Sequence, residues 1–95
     1  MYFALLYDVV DDYVRRRQPF RAEHLTLAER FRRDGKLLLA GAFDPADGAL
    51  LVFRAAGADE VEAFVREDPY VRNGLVTSWR VKAWTVVIGG DAPPR

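Results

Sequence analysis

The chain has 95 residues, of which 51% are hydrophobic, and its 14 basic and 14 acidic residues cancel. This length predicts one domain with one modest core, and the balanced charge gives no support to a nucleic-acid or anionic-membrane partner. Cysteine is absent, which excludes disulfides, thiol nucleophiles and cysteine-ligated metal centres. We expect a cytoplasmic protein, because the sequence has neither a signal-peptide pattern nor a long apolar run.

The first half of the chain predicts a strand, a helix and a second strand. Tyr2–Val9 is rich in aromatic and branched residues and predicts strand one, whereas residues 11–17 fit either a helical turn or a loop. Helix one is predicted over residues 19–33, because proline suits a first helical turn and Gly35 suits the position after a helix. Residues 36–43 form an almost continuous apolar run and predict strand two.

The second half predicts a strand, a helix and a long last strand. Residues 44–48 are of types that form turns, and they separate strand two from strand three, which is predicted over residues 49–55. Apolar residues at helical spacing predict helix two over Ala58–Glu67, with Asp59 as its cap. A turn then leads into strand four at residues 76–87.

The predicted domain spans residues 1–88, and residues 89–95 are expected to form a flexible C-terminal tail. The element order β-α-β-β-α-β predicts a ferredoxin-like sandwich of the α+β class. Right-handed crossovers give it a four-stranded antiparallel sheet with both helices on one face.

Three of the predicted strands are apolar on both sides. In an antiparallel sheet with one solvated face, apolar and polar residues should alternate along each strand. A homodimer packed sheet on sheet would cover the second face, with Trp79 and Trp84 in the core or the interface. The residues on opposite sides are Phe3, Leu5 and Tyr7 against Tyr2, Ala4 and Leu6 in strand one, Leu37 and Leu39 against Leu38 and Ala40 in strand two, and Leu51 and Phe53 against Leu50 and Val52 in strand three.

Each predicted helix turns one ionisable side chain towards the core. His24, the only histidine, lies on the apolar stripe of helix one. Asp68 continues the apolar stripe of helix two and precedes Pro69, which should stop that helix. The start of helix one and the end of helix two lie at the same end of a ferredoxin-like fold. We therefore expect His24 and Asp68 to meet there, beside Tyr7 and Tyr70.

The chain resembles the YCII-related (YciI-like) family over nearly its whole length. The residues that carry the resemblance are Arg21-Ala22-Glu23-His24-Leu25, Gly35-Lys36-Leu37-Leu38-Leu39-Ala40-Gly41, Asp47-Gly48, Asp68-Pro69-Tyr70, Gly74-Leu75 and Val81-Lys82-Ala83-Trp84. The resemblance implies a ferredoxin-like fold of the dimeric α/β-barrel type, an active-site pair at His24 and Asp68, and lyase-like elimination in some members. Most members lack an assigned substrate. Members often have proline where this chain has Ala42, a difference that bears on the shape of the pocket wall.

The site residues admit functional and structural interpretations. As a dyad, Asp68 would accept from one nitrogen of His24, and the other nitrogen would exchange a proton with a substrate. As a structural pair, the two would only order the helix ends. Tyr70 either positions a substrate oxygen or packs its ring with the hydroxyl in water. Tyr7 either lines a pocket or fills the core, and Arg21 either holds an anionic substrate or is a solvated surface residue.

Two functions from different classes follow. The first is a small enzyme that performs acid–base chemistry (elimination, isomerisation or hydrolysis) on a small polar or anionic substrate. The second is a non-catalytic dimeric module that binds a small ligand or stabilises a partner. Three consecutive arginines at residues 15–17 are interpreted as a solvated run rather than a nucleic-acid patch. One histidine without cysteine gives no basis for a metal or another cofactor.

Overall fold

The chain folds as a four-stranded antiparallel sheet with helices packed on one face. The computed structural model describes residues 1–90. A single turn of 3₁₀-helix, Gln18–Phe20, precedes the longest helix. The elements in chain order are β1 (Tyr2–Val9), α1 (Tyr13–Arg16), α2 (Arg21–Arg33), β2 (Leu37–Ala42), β3 (Gly48–Arg54), α3 (Ala58–Glu67), α4 (Pro69–Arg72) and β4 (Val76–Trp84).

The strand order is β2-β3-β1-β4, and every neighbouring pair is antiparallel. The two long helices, α2 and α3, connect β1 to β2 and β3 to β4 across the same face of the sheet. The predicted α+β class and ferredoxin-like strand arrangement are confirmed. Within residues 1–90, none of the helices has the length and apolar character needed to cross a membrane. The division into a domain and a tail stays a prediction, and the tail beyond residue 90 lies outside the described residues.

The core lies between the sheet and the two long helices. Its centre is a cluster of three aromatic rings, one each from α2, β3 and α3. The ring of Phe64 lies 5.2 Å from that of Phe31 and 5.3 Å from that of Phe53, in edge-to-face arrangements that aromatic rings favour. Phe53 and Phe64 are completely buried. This cluster holds α2 and α3 on the sheet, and so fixes where the ends of the helices fall.

The prediction for β2 is wrong at one point. Leu37 and Leu39 were expected on the same side of the strand, but a β-bulge lies between them. Leu37 pairs with Phe53 on the helix-covered face, whereas Leu39 pairs with Val52 on the opposite face. An extra residue in one strand reverses the side on which the following side chains lie. Leu37 is accordingly buried, while Leu39 is 70% exposed.

The predicted ends of the two long helices and of the last strand can be compared with the structure. Gly35 follows α2 with φ +77°, a conformation that glycine adopts without strain, so its predicted place after the helix is confirmed. Asp59 is not the cap of α3, because the helix begins one residue earlier and Gly57 occupies the N-cap position. Strand β4 ends at Trp84 rather than at residue 87. Trp79 and Trp84 are 41% and 48% exposed, so neither belongs to the core of this chain.

Truncation of Phe64 to alanine should lower the free energy of unfolding by about 3–5 kcal/mol, because it removes the ring on which both neighbouring rings pack. Urea unfolding followed by circular dichroism measures the loss. The same substitution at Phe43, which is 45% exposed, is the matched control and should cost far less. Equal losses in the two variants would contradict the assignment of Phe64 to the centre of the core.

Candidate functional site

The site begins at the corner between α3 and α4. Proline disfavours the helical conformation of the residue before it, and Asp68 has backbone angles of φ −67° and ψ 119°. The chain turns there and starts α4 with Pro69, where a missing N–H costs no helical hydrogen bond. The Asp68 carboxylate caps this new helix, since Oδ1 accepts from the backbone N–H of Tyr70 at 3.0 Å. The order Asp-Pro-Tyr therefore fixes the position and the orientation of one carboxylate.

Three donors surround the Asp68 carboxylate, which is completely buried. The Tyr7 hydroxyl donates to Oδ2 at 2.7 Å, and His24 Nδ1 lies 2.8 Å from Oδ1. With the Tyr70 N–H, these donors suit an ionised carboxylate, which can only accept. Hydrogen bonds from β1, α2 and α4 thus offset the cost of burying a charge. The structure brings His24 and Asp68 into contact as the topology predicted, and their catalytic role stays a prediction.

The imidazole of His24 is held in one orientation. Its ring stacks on that of Tyr70, with centroids 3.9 Å apart and planes 9° apart, and meets Phe64 edge to face at 6.3 Å. The side chain is 13% exposed. Nδ1 faces the Asp68 carboxylate, so Nε2 is the ring nitrogen that remains for contact with another molecule.

A cavity of about 330 Å³ opens beside His24, between α2 and the sheet. Four of the five predicted site residues line it, and Asp68 lies behind the imidazole. Ala42 is part of its wall, as the resemblance led us to expect. The lining residues are Tyr7, Tyr13, Arg17, Arg21, His24, Leu25, Ala28, Ala40, Gly41, Ala42, Ala49, Leu51 and Tyr70.

Tyr70 does not point its hydroxyl into water, which was one of its two predicted interpretations. The residue is 1% exposed, and its buried Oη has no hydrogen-bond partner among residues 1–90. Burial raises the pKa of Tyr70. Arg21 lies close enough to oppose this rise in pKa, although the two side chains do not form a hydrogen bond of ordinary geometry. A neutral hydroxyl and a guanidinium therefore lie side by side in the cavity wall.

Sequence reasoning missed Tyr13 and Arg17. The solvated run predicted at residues 15–17 holds for Arg15 and Arg16, which are exposed, but not for Arg17. Arg17 lies over the ring of Tyr13, 5.1 Å from its centroid, and its buried Nε lacks a hydrogen-bond partner within the described chain. The four-residue spacing of positions 13, 17 and 21 was the available signal. It did not suggest a common cavity, because a proline separates α1 from α2.

Tyr7 supports the carboxylate rather than presenting its hydroxyl to the cavity. Its side chain is 2% exposed, and its O–H is committed to Asp68. Burial raises the pKa of Tyr7 far above the usual tyrosine value, and the charge of Asp68 and the hydrogen bond to it raise the pKa further. Tyr7 therefore remains a neutral donor over the physiological pH range.

Exposed ion pairs join α2 to the corner at Asp68 on the solvent side. Arg30 binds both carboxylate oxygens of Glu67 at 2.9 Å, and Arg72 pairs with Glu23. Such pairs contribute little stability individually, so the buried contacts determine the geometry of the corner. A larger, more open groove of about 650 Å³ runs between α2 and β2, but His24 and Asp68 do not line it.

Together, the fold and the site define a small ferredoxin-like protein whose buried carboxylate orients one imidazole beside a cavity. The sequence profile of the YCII-related domain family matches residues 1–85. The chain therefore belongs to the YCII-related domain family. The proposed resemblance is thereby confirmed.

Solved structures with this fold include an enzyme. The chain is similar to 5-chloro-2-hydroxyhydroquinone dehydrochlorinase from Burkholderia phenoliruptrix, solved in complex with 2,5-dihydroxybenzoquinone. The two are 26% identical over 88% of this chain and 93% of that chain, with a TM-score of 0.75.

Two further structures, each under 15% identical, show the fold alone. A protein of Agrobacterium tumefaciens is 13% identical over 86% of this chain and 89% of that chain, with a TM-score of 0.55. An uncharacterised NIPSNAP-like domain protein of Burkholderia xenovorans is 14% identical over 98% and 90%, with a TM-score of 0.60. No curated protein matches the chain significantly.

Two tyrosine-to-phenylalanine substitutions should have different effects on stability, although each removes one hydroxyl. Tyr7→Phe removes a donor from a buried carboxylate and should lower the free energy of unfolding by about 1.5–3 kcal/mol. Tyr70→Phe removes a hydroxyl without a partner, so its free energy of unfolding should be unchanged or slightly higher. Urea unfolding of the ligand-free proteins at pH 7 measures both, and equal losses would contradict the hydrogen-bond assignment.

The effect of Tyr7→Phe should also depend on pH. Above pH 10, about the usual pKa of tyrosine, the unfolded chain releases the Tyr7 proton while the folded protein retains it. The stability that Tyr7 contributes is therefore complete below pH 10 and declines as pH rises further, by up to about 1.4 kcal/mol per pH unit. The gap in unfolding free energy between wild type and Tyr7→Phe should narrow between pH 9 and pH 11. A constant gap would show that the pKa of Tyr7 is not raised.

Proposed function

We propose that this protein is an enzyme in which His24 and Asp68 perform acid–base chemistry on a small polar or anionic substrate. The observation that supports it is the 2.8 Å contact between His24 Nδ1 and the buried Asp68 carboxylate, at the wall of a cavity. A histidine that only ordered two helix ends would not need a cavity on its other side. The cavity of about 330 Å³ has room for a single small ring.

The proposed chemistry follows from the two nitrogens of the ring. Asp68 accepts from Nδ1, which fixes the tautomer and favours the imidazolium that forms when Nε2 takes a proton. Tyr7 and the Tyr70 N–H hold the carboxylate in place, so that Asp68 is not displaced as the charge on His24 changes. Tyr70 and Arg21 are the proposed contacts to the substrate. Tyr7 is proposed to position Asp68 from the cavity wall.

Elimination is the reaction type that the similarities support best. A single base can start it by taking a proton from the substrate, after which the released electron pair forms a double bond and the leaving group departs with its bonding electrons. The similar enzyme from Burkholderia phenoliruptrix is a dehydrochlorinase that acts on a small aromatic ring. Isomerisation and hydrolysis by an activated water would use the same base and remain outcomes of the test.

The test starts from ligands and proceeds to turnover. Small phenols, hydroxyquinones and carboxylic acids, including 5-chloro-2-hydroxyhydroquinone, are screened for a rise in melting temperature. Compounds that bind are then assayed for conversion, with chloride release as the readout for the chlorinated ring. We expect His24→Gln to lower turnover by about 10²–10⁴-fold, the range for loss of a general base. Asp68→Asn should lower it as well, because an amide cannot favour the imidazolium.

Asp59→Asn, at an exposed aspartate, is the matched control and should leave turnover unchanged. Circular dichroism checks that each variant is folded. Full turnover in His24→Gln would rule out the proposed chemistry. Compounds that bind but are never converted would favour a non-catalytic ligand-binding module instead.

A homodimer built on the uncovered sheet face completes the proposal. This face is apolar across β1, β3 and β2, and cations lie along β4, which is the pattern of an apolar patch with a charged margin. Leu39, which the bulge turns to this side, is 70% exposed. The apolar side chains of the face are Ala4, Leu6, Leu39, Leu50 and Val52, and the cations on β4 are Arg80 and Lys82.

Sedimentation equilibrium at micromolar concentration should give the mass of two chains. Leu39→Arg should shift the equilibrium towards the monomer, because it places a charge on the apolar part of the face, at the β2 edge opposite the cations of β4. Val14→Arg makes the same change at a residue of α1 that is 46% exposed, and it should leave the dimer intact. A monomeric wild type would contradict the proposed dimer without affecting the proposed chemistry.

A further inference from the structure

Two buried polar atoms of the cavity wall lack hydrogen-bond partners among residues 1–90. They are the Nε of Arg17 and the Oη of Tyr70. Buried polar groups are almost always hydrogen-bonded, since an unpaired one costs free energy. Two such atoms in the wall of one cavity, beside a third polar side chain, Arg21, indicate a place built for a polar group that the chain itself does not provide.

We propose that Arg17, Arg21 and the Tyr70 hydroxyl form an oxyanion-binding site for a small planar molecule that carries a carboxylate or an enolate oxygen. The proposal rests on the proposed function and adds the substrate class and the residue that selects it. Arg17 is the selecting residue, because its guanidinium is planar and presents several donors that match the geometry of a delocalised oxyanion.

The charge of the cavity favours an anion. No carboxylate within residues 1–90 forms an ion pair with Arg17 or Arg21. The acidic group closest to the imidazole, Asp68, is already satisfied by three donors. Two guanidinium groups therefore line the cavity without a carboxylate partner in the described part of the chain, and a bound anion would supply one.

The lining of the cavity favours a molecule with an apolar body. Aliphatic side chains of α2 and β3 line one part of it, and the ring of Tyr13 lies beneath Arg17 in another. The ring of Tyr13 also meets that of Tyr70 edge to face, with centroids 5.7 Å apart. The polar donors thus lie in an otherwise apolar enclosure, the arrangement by which small-ligand sites fix orientation.

The stacked rings of Tyr70 and His24 place the proposed oxyanion site next to the proposed base. Tyr70 lies face to face with His24 at 3.9 Å, and both residues line the cavity. An oxyanion held there would lie beside the nitrogen that takes the proton. The negative charge that develops on the substrate when the proton leaves would therefore be stabilised by donors already in position.

The probe is benzoate, with benzamide as its neutral counterpart of the same size and shape. Isothermal titration calorimetry at pH 7 measures both against wild type, Arg17→Gln and Arg16→Gln. We expect wild type to bind benzoate at least about tenfold more tightly than benzamide, since a charged hydrogen bond of this kind contributes about that factor. Arg17→Gln should lose about tenfold or more in benzoate affinity.

Arg16→Gln removes the same charge from the neighbouring, exposed arginine and should change benzoate affinity less than about twofold, because exposed charges are screened. If Arg17→Gln does not fold, Arg17→Lys decides, since it keeps the charge but loses the planar fork and should still weaken binding. Equal affinity for benzoate and benzamide would overturn the proposal. So would wild-type affinity in the Arg17 variant, or no binding of benzoate at all.

His24→Gln separates this proposal from the proposed catalysis. If the oxyanion site exists, His24→Gln retains the preference for benzoate over benzamide even though it has lost its base. If His24→Gln prefers benzoate and wild type shows no turnover, the oxyanion site is supported and the proposed catalytic activity is rejected. A wild type with turnover but without a preference for benzoate would support the enzyme and reject the oxyanion site.

Discussion

The buried carboxylate of Asp68 is the constraint on which the site depends. A charge in a protein interior is tolerated only when its oxygens are fully hydrogen-bonded, and here the donors come from β1, α2 and α4. Each donor is positioned by its own element. Tyr7 lies near the end of β1 and faces the core, and His24 lies on the buried stripe of α2. The Tyr70 N–H belongs to the first turn of α4, the helix that starts at Pro69. Three elements distant in sequence are therefore held at one point, and the orientation of the imidazole is a consequence.

The chain is neutral overall, yet the cavity beside the imidazole is positive. Three exposed arginines on the helices pair with glutamates: Arg30 with Glu67, Arg32 with Glu29 and Arg72 with Glu23. Arg17 and Arg21 instead line the cavity without a carboxylate partner in the described part of the chain. Net charge consequently says little about the substrate, because electrostatic attraction is set by the few charges that border a low-dielectric enclosure.

Tyr7 and Tyr70 show how one residue type takes two roles within the same site. Both are buried in the folded chain, but Tyr7 donates to a carboxylate whereas the Tyr70 hydroxyl has no partner among residues 1–90. The first stabilises the fold and the second lowers its stability in the absence of a bound molecule. A protein that retains an unpaired buried hydroxyl beside an oriented base gives up some stability at the place where, on our proposal, the substrate binds.

The sequence by itself determined the element order, the ferredoxin-like arrangement and the contact between His24 and Asp68, because helical period and chain topology are local or combinatorial properties. Pro69 made the end of α3 predictable, since its effect on Asp68 is steric and local. Only the tertiary structure decided that Arg17 lines the cavity and that Leu39 turns to the open face. The position of Arg17 depends on the angle at which α1 meets α2, and that of Leu39 on a β-bulge. Neither position follows from residue spacing alone, because each results from packing between segments rather than from the residues of one segment.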